Sequence, residues 1–501
     1  MKTTDLLFNL CTRRGIIIPA FKPYGELAGF YDYGPIGTRI KNNIINAWRN
    51  FFIEGLGNLE IDTSLIAPEV VFEASGHIKK FTDPVVKCKK CGTSYRADKL
   101  LAEFFNEKND IKNAEKAKHE TPEGLENMIK DNGLKCKKCG GELGSVELFN
   151  LMLATKIGPA HTIQGYLRPE TAQSIFLDFK EIFQTYGLKL PIGIGTAGKA
   201  FRNEIAPRNI LIRLREFSQM ELEFFYDPEA DNIGINGESL DDKALSEEIN
   251  ILSRESQLSG STDEYEKVTI KECLDRGIFK NKLFAFLIYK EWKFASKLGY
   301  NLENARFRQL LDDELPHYSK GNFDLEVKLD GDYEEVMGNA DRGNFDLSNH
   351  AEYSKQEQSI FYNGRKFVPS VIELSMGIDR IFWTLLAGSL HQDNRGWDFL
   401  ILDRSIAPYE YAIFPLQKDE KIEEKARHIF EEIKKSGVSA FYSDSGSIGK
   451  RYAKADEIGI RYAITIDYDT VNSDGKVTVR DALNTKQERI KIEELLNTIK
   501  K

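Results

Sequence analysis

From Ile212 to Phe224 apolar and polar side chains alternate one by one, the period of a β-strand. Ile212, Leu214, Met220, Leu222 and Phe224 fall on one face. Arg213, Arg215, Phe217, Gln219, Glu221 and Glu223 fall on the other, with Glu216 and Ser218 as polar exceptions. Upstream, Arg202–Glu204 reads as a partner strand, and Pro207-Arg-Asn209 as the turn between them. Elsewhere Ile40, Ile44, Trp48 and Phe51 or Phe52 recur at helical spacing, and Leu59 to Ile66 predicts a strand ended by Pro68. Residues 228–300 are charged and Ser/Asp/Glu-rich, then helical, and predict an insertion. After a break at Asp403–Pro408, β and α segments alternate. Strands are expected at Tyr411–Pro415, Ser439–Tyr442, Arg461–Asp467 and Lys476–Arg480, and helices over 418–436 and 449–458.

Composition narrows the class. A chain of 501 residues predicts two to four domains at roughly 150 residues each. It contains no apolar run long enough to cross a membrane, and its N-terminus lacks the apolar core of a signal peptide, so a cytoplasmic enzyme is expected. A net charge of −9 argues against holding nucleic acid by bulk charge, though not against a local basic groove.

Four segments carry candidate chemistry. The alternating strand has the groups to meet phosphate, ammonium and a purine ring; a salt-bridged surface hairpin is the plainer alternative. With a hairpin fold, Arg202, Arg208 and Arg213 would surround one triphosphate, Glu204 would accept from an adenine amino group, and Phe217 would stack on the ring. In Val371-Ile-Glu-Leu-Ser-Met-Gly-Ile-Asp-Arg380, Glu373 and Ser375 share a strand face, and Gly377 permits a tight turn into a helix. Arg380 in that helix's first turn opposes the helix dipole, which suggests a bridging anion. In Leu167-Arg-Pro-Glu-Thr-Ala-Gln173, Glu170 and Thr171 read in isolation as a helix cap. Cys88-Lys-Lys-Cys91 and Cys136-Lys-Lys-Cys139 match a four-thiolate zinc site, with the lysines expected to lower the thiol pKa; two reduced, metal-free knuckles are the alternative. Cys11 and Cys273 read as core thiols.

Taken together, these segments resemble the homodimeric, class II glycyl-tRNA synthetases. Tyr24–Pro35, Ala74-Ser-Gly-His77, Leu167–Gln173, Phe201–Glu204, Arg215-Glu-Phe217, Val371–Glu373 and Ser443–Tyr452 match family motifs in family order. The resemblance implies an α+β fold: an antiparallel-sheet catalytic core over 1–404, with insertions near 85–145 and 228–300, and an α/β anticodon-binding domain over 405–501. It implies a homodimer, with ATP, Mg²⁺, glycine and the tRNA for glycine as partners. ATP contacts would be Arg202, Asn203, Glu204, Ile212, Arg213, Leu214, Arg215, Glu216, Phe217, Glu335, Val336, Gly377, Ile378, Asp379 and Arg380, with Arg202, Glu204 and Arg380 catalytic. Glycine contacts would be Arg96, Glu170, Phe217, Gln219, Glu221, Glu373 and Ser375. Lys450, Arg451 and Lys454, a basic cluster beside a glycine-rich turn, suit tRNA phosphate, with Asp456 and Glu457 accepting from anticodon bases; a solvated helix face is the alternative. A synthetase for another small amino acid and a non-catalytic relative that binds nucleic acid are the competing classes. Nothing is smaller than glycine, so no editing domain is expected.

Overall fold

The computed structural model describes residues 2–159, 162–207, 209–231, 234–260 and 264–499. Its centre is a nine-stranded sheet. From one edge the strands run Glu266–Thr269, Glu248–Leu252, Ala305–Gln309, Asn322–Leu329, Asp332–Gly343, Ser370–Gly377, Glu216–Tyr226, Ile192–Phe201 and Leu59–Glu60. Neighbours are antiparallel except at the 248–252/305–309 and 192–201/59–60 pairs. A hairpin is present, but its first strand is Ile192–Phe201 and not Arg202–Glu204, with Thr196 opposite Glu221 and Phe201 opposite Glu216.

Odd positions of the 216–226 strand face one side and even positions the other, and the even side builds the core. Met220, Leu222 and Phe224 pack with Leu374 and Met376 of the adjacent strand under three helices, Pro35–Trp48, Lys282–Lys297 and Ile378–Gly388. The Lys282–Lys297 helix buries Leu283, Phe284, Phe286, Leu287, Ile288, Trp292 and Phe294. At about 1.5–3 kcal/mol per large apolar side chain, that face anchors the sheet firmly. On the opposite side, the Ala172–Tyr186 helix covers only one end, packing Phe176 and Phe179 on Phe225. The rest of that face stays open. Cys11 and Cys273 lie in the core, as expected.

Four expectations need correction. The predicted 59–66 strand is two short ones, Leu59–Glu60 and Ile66–Pro68, in different sheets. The 216–226 strand begins at Glu216, so Arg213 and Arg215 belong to the hairpin loop, where Asn209 and Ile210 take positive φ. Arg202–Glu204 follows the partner strand and does not form it, since that strand ends at Phe201, while segment 228–300 supplies Glu248–Leu252 and Glu266–Thr269 to one edge of the sheet and the Lys282–Lys297 helix to its core. Gly377 sits at φ −75°, a conformation open to any residue.

Two smaller units flank the sheet. Residues 82–150 fold as three strands, Thr82–Cys88, Ser94–Arg96 and Leu143–Asn150, and three helices within 97–131, around Val86, Leu101, Phe105, Leu125 and Ile129. Near the C-terminus a five-stranded sheet carries the Glu420–Lys435 helix on one core and the Ile448–Glu457 helix on another. Its fifth strand, Gln487–Lys491, has no counterpart in the sequence reading, because Glu488, Arg489 and Lys491 leave no apolar alternation to detect.

Candidate active site

On the open face, where the 216–226 strand runs between 192–201 and 370–377, lies a cavity of about 280 Å³. Arg202, Phe217, Glu221, Glu373 and Arg380 all line it. Two ends can be distinguished by their chemistry.

The first end is cationic and aromatic. The Arg202 guanidinium carbon stands 5.2 Å from the centre of the Phe217 ring, and its Nε donates to the Pro169 carbonyl at 3.1 Å. Arg213 reaches Glu204 at 3.5 Å. Arg380 is anchored on two carbonyls, Ile212 O at 3.1 Å and Glu335 O at 3.0 Å, and pairs with the Glu335 carboxylate at 3.0 Å. Arg380 holds the Glu335 carboxyl below the usual range, outweighing burial, and Glu335 in turn raises Arg380. Asp324 also lines the cavity; burial, then Glu335 and Glu326, push its carboxyl well above the usual range. Two neighbouring carboxyls of which one resists ionising are a donor set that a divalent cation satisfies.

The second end is built of buried carboxylates. Glu221 is fixed from four directions: the Thr171 N–H at 2.7 Å, the Thr171 hydroxyl, Gln219 Nε2 at 2.9 Å and the Ser375 hydroxyl at 2.9 Å. Thr171 therefore does not cap its helix; both its donors go to Glu221. Glu170 accepts from Gln173 at 2.8 Å and approaches His77 at 3.4 Å and Arg342 at 3.6 Å. Burial opposes its ionisation, but His77 and Arg342 overcome this and hold it well below the usual carboxylate range. The converse holds for Glu373. Burial dominates, despite Arg342 at 2.9 Å, and its carboxyl is pushed up to about 8. Glu221 is likewise raised, by burial and then by Glu170. Arg342 is 1% exposed and bridges both ends of this network, pairing with Asp346 at 2.8 Å and stacking on Tyr318 at 3.8 Å.

The cavity gathers most of the residues singled out in the sequence. It is lined by Arg202, Glu204, Ile212, Arg213, Leu214, Phe217, Glu335, Val336, Gly377, Asp379 and Arg380, and by Glu170, Gln219, Glu221, Glu373 and Ser375. Asn203, Arg215, Glu216 and Ile378 do not line it. Asn203 donates its N–H to Leu151 O, Arg215 is tied to the Glu204 and Ala28 carbonyls, Glu216 pairs with Lys199, and Ile378 is core. Asp379 touches the wall but spends its carboxylate on the Tyr33 hydroxyl and the Ser218 N–H, where the 370–377 strand has ended and cannot pair. Arg96 lines an adjoining cavity and is held by Asp83 at 3.0 Å and by Asp98. Arg208 lies outside the described residues. Sequence reasoning missed Arg342, Asp346 and Asp324. The carboxylate-rich strand facing them was a signal that a buried cation had to come from somewhere.

The anticodon candidates separate. Lys450 and Lys454 are exposed one turn apart on the Ile448–Glu457 helix. Arg451 is not available to phosphate, since it is buried and donates to the Pro415, Ser443 and Leu416 carbonyls. Neither Asp456 nor Glu457 faces a base. Asp456 is buried between Arg480 at 2.7 Å and Arg395 at 3.1 Å, and Glu457 pairs with Arg13 at 2.6 Å and with Arg14. The four knuckle sulfurs lie within 4.8 Å of one another. The Cys91 thiol is lowered to about 6, by the Thr93 hydroxyl and backbone and not by the lysines; Lys89 and Lys137 are engaged with Glu142 and Glu103.

An anticodon-binding-domain family matches residues 410–501. Among solved structures, prolyl-tRNA synthetase of Giardia lamblia in complex with prolyl-adenylate aligns with a TM-score of 0.59 at 14% identity, over 99% of this chain and 74% of that one. The Cryptosporidium parvum enzyme with L-proline and AMP aligns at 0.57 and 13%, with the same coverages. The fold is thus that of a class II aminoacyl-tRNA synthetase. Curated relatives named glycine–tRNA ligase match along the whole length: 36% identity for Methanothrix thermoacetophila (100% of this chain, 97% of the relative), 36% for Pyrococcus horikoshii (99%, 98%) and 34% for Methanocaldococcus jannaschii (99%, 98%). This chain belongs to the glycine–tRNA ligase family. Among the described residues, no helix is long and apolar enough to cross a membrane.

Proposed function

We propose that the protein activates glycine with ATP and transfers it to the 3′-terminal adenosine of the tRNA for glycine. The observation that carries this reading is one cavity with guanidinium groups and an aromatic ring at one end and three buried glutamates at the other. In the first step a glycine carboxylate oxygen attacks the α-phosphorus. A P–O bond forms, the bond to the β-phosphate bridge breaks, and its electron pair leaves with pyrophosphate. The nucleophile arrives ionised, so no base is required, and rate comes from positioning and charge neutralisation. Arg202 would hold the α-phosphate, Arg213 and Arg380 the outer phosphates, Phe217 the adenine ring and Glu204 its amino group. Asp324 and Glu335 fit Mg²⁺, which would share the phosphate charge.

At the other end, ionised Glu170 would hold the glycine ammonium, helped by Glu221 and Ser375. Glu221 is held in place by Thr171 and Ser375, and a pocket that ends at such a fixed carboxylate would select glycine by excluding side chains. The four cysteine thiolates suit a structural Zn²⁺. Exposed Leu65, Ile66, Val70 and Ile163, on or beside the strands Ile66–Pro68 and Ile163–Leu167, support a second copy as partner. Lys450 and Lys454 are the surviving phosphate contacts for the anticodon arm, and a cytoplasmic location fits this activity.

The test is glycine-dependent exchange of labelled pyrophosphate into ATP. We expect exchange with glycine, and its abolition in Arg202→Ala. Exchange with alanine or serine in place of glycine would redirect the substrate assignment, and an unimpaired Arg202→Ala would remove the phosphate role of that residue.

A further inference from the structure

At its cationic end the candidate active-site cavity adjoins a second, larger one of about 460 Å³. The two share Ile212, Arg213, Glu335 and Arg380, and none of the glutamates of the opposite end. The far wall comes from a different part of the chain. It carries Arg96 and Lys99, at the start of the Ala97–Glu107 helix in the unit that holds the four cysteines. Arg96 is already committed to Asp83 and Asp98. Lys99 is solvent-exposed at the rim. Its ammonium titrates below the ordinary lysine range, through desolvation first and then through the neighbouring Arg213 and Arg96 guanidinium groups. Arg96, Arg213 and Arg380 already face Asp83, Glu204 and Glu335, so of the four cations Lys99 is the one whose charge an incoming anion relieves. Carboxylates are present too, in Glu103, Glu334 and Glu335. Such a mixed lining suits a chelated anion better than a bare one: the cations take its oxygens and the carboxylates take its metal.

The geometry points to a site for magnesium-bound inorganic pyrophosphate in this second cavity, with Lys99 continuing the row of Arg213 and Arg380. The leaving group then departs along these cations and not back past the amino acid. This inference rests on the activity proposed above, which releases pyrophosphate at that end. It also gives the four-cysteine unit a part in the reaction, since that unit supplies the outer wall.

The experiment is calorimetric titration of the full chain with pyrophosphate in excess MgCl₂, without ATP, beside a separate titration with glycine. Lys99→Met is expected to weaken pyrophosphate binding about tenfold, the loss of one charge-assisted contact, while Lys99→Arg keeps it within about twofold. Glycine binding is expected to be the same in all three proteins. A Lys99→Met isotherm matching the wild type overturns the inference, as does a loss that Lys99→Arg fails to restore. Weakened tRNA affinity with unchanged pyrophosphate binding also overturns it, in favour of an RNA contact. Absence of glycine-dependent exchange in a wild-type protein that still binds pyrophosphate through Lys99 would count against the proposed activity and leave the site standing.

Discussion

Arg342 shows how one side chain sets the ionisation of several others. Its guanidinium meets Asp346 through two bonds, Glu373 at 2.9 Å and Glu170 at 3.6 Å, with almost no solvent access. Removing one partner of such a cluster strands buried charge. Arg342→Met is therefore expected to cost about 3–5 kcal/mol of stability. It should also raise the glycine concentration needed for half-maximal exchange, because Glu170 loses a cation that keeps it ionised. Melting curves and the glycine dependence of exchange check both. Arg342→Lys should not rescue, since an ammonium cannot reproduce the forked contact to Asp346. None of this was readable along the chain. Glu170, Glu221 and Glu373 stood out by spacing and type, whereas Arg342, at the end of the Asp332–Gly343 strand, looked like any surface arginine until the strands were stacked side by side.

The Lys282–Lys297 helix illustrates a polar group carried into an apolar element. Glu291 is 0% exposed, and neither carboxyl oxygen has a hydrogen-bond partner, with Asn339 alongside. Burial pushes its carboxyl up to about 8, from 4.5. Between those values an unfolded chain gives up the proton and the folded one keeps it, so stability falls as pH rises through that window. Glu291→Gln removes the proton linkage. It is expected to stabilise the protein little below pH 4.5 and increasingly up to pH 8, by an amount on the order of a few kcal/mol. Thermal melts of both proteins at pH 5 and pH 8 measure the difference. The first four strands and the two longer helices of the C-terminal unit were legible because each carries its own apolar period; Gln487–Lys491, which carries none, was not. The Arg213–Arg215 stretch misled because its alternation is accidental. Its backbone turns after Asn209 and Ile210, and the Arg215 N–H goes to Gly29 instead of a neighbouring strand.

Across the assembled chain, the C-terminal unit is fastened to the catalytic sheet by charge. Glu457, at the end of the Ile448–Glu457 helix, takes Arg13 and Arg14 from the first helix of the chain. Arg395, outside that unit, takes Asp456. Position 457 thus serves the joint and is withdrawn from RNA. Glu457→Gln should loosen it, seen as faster proteolytic cleavage within the 400–410 segment and a larger radius of gyration in solution scattering. An unchanged digestion pattern would mean that the Glu457 pairs do not hold the joint and that other contacts, the Arg395–Asp456 pair among them, suffice.

What the order of residues dictated was chemistry and local period: the hairpin, the α/β tail, the paired cysteine knuckles and most side chains of the cavity, because alternation and motif spacing act over a few residues. Which charges face one another was settled by folding. Glu170 ionised beside a largely neutral Glu373, Arg342 between them, and Asp456 and Glu457 turned inward all depend on desolvation and on partners 24 to 444 positions away, and no linear pattern encodes either.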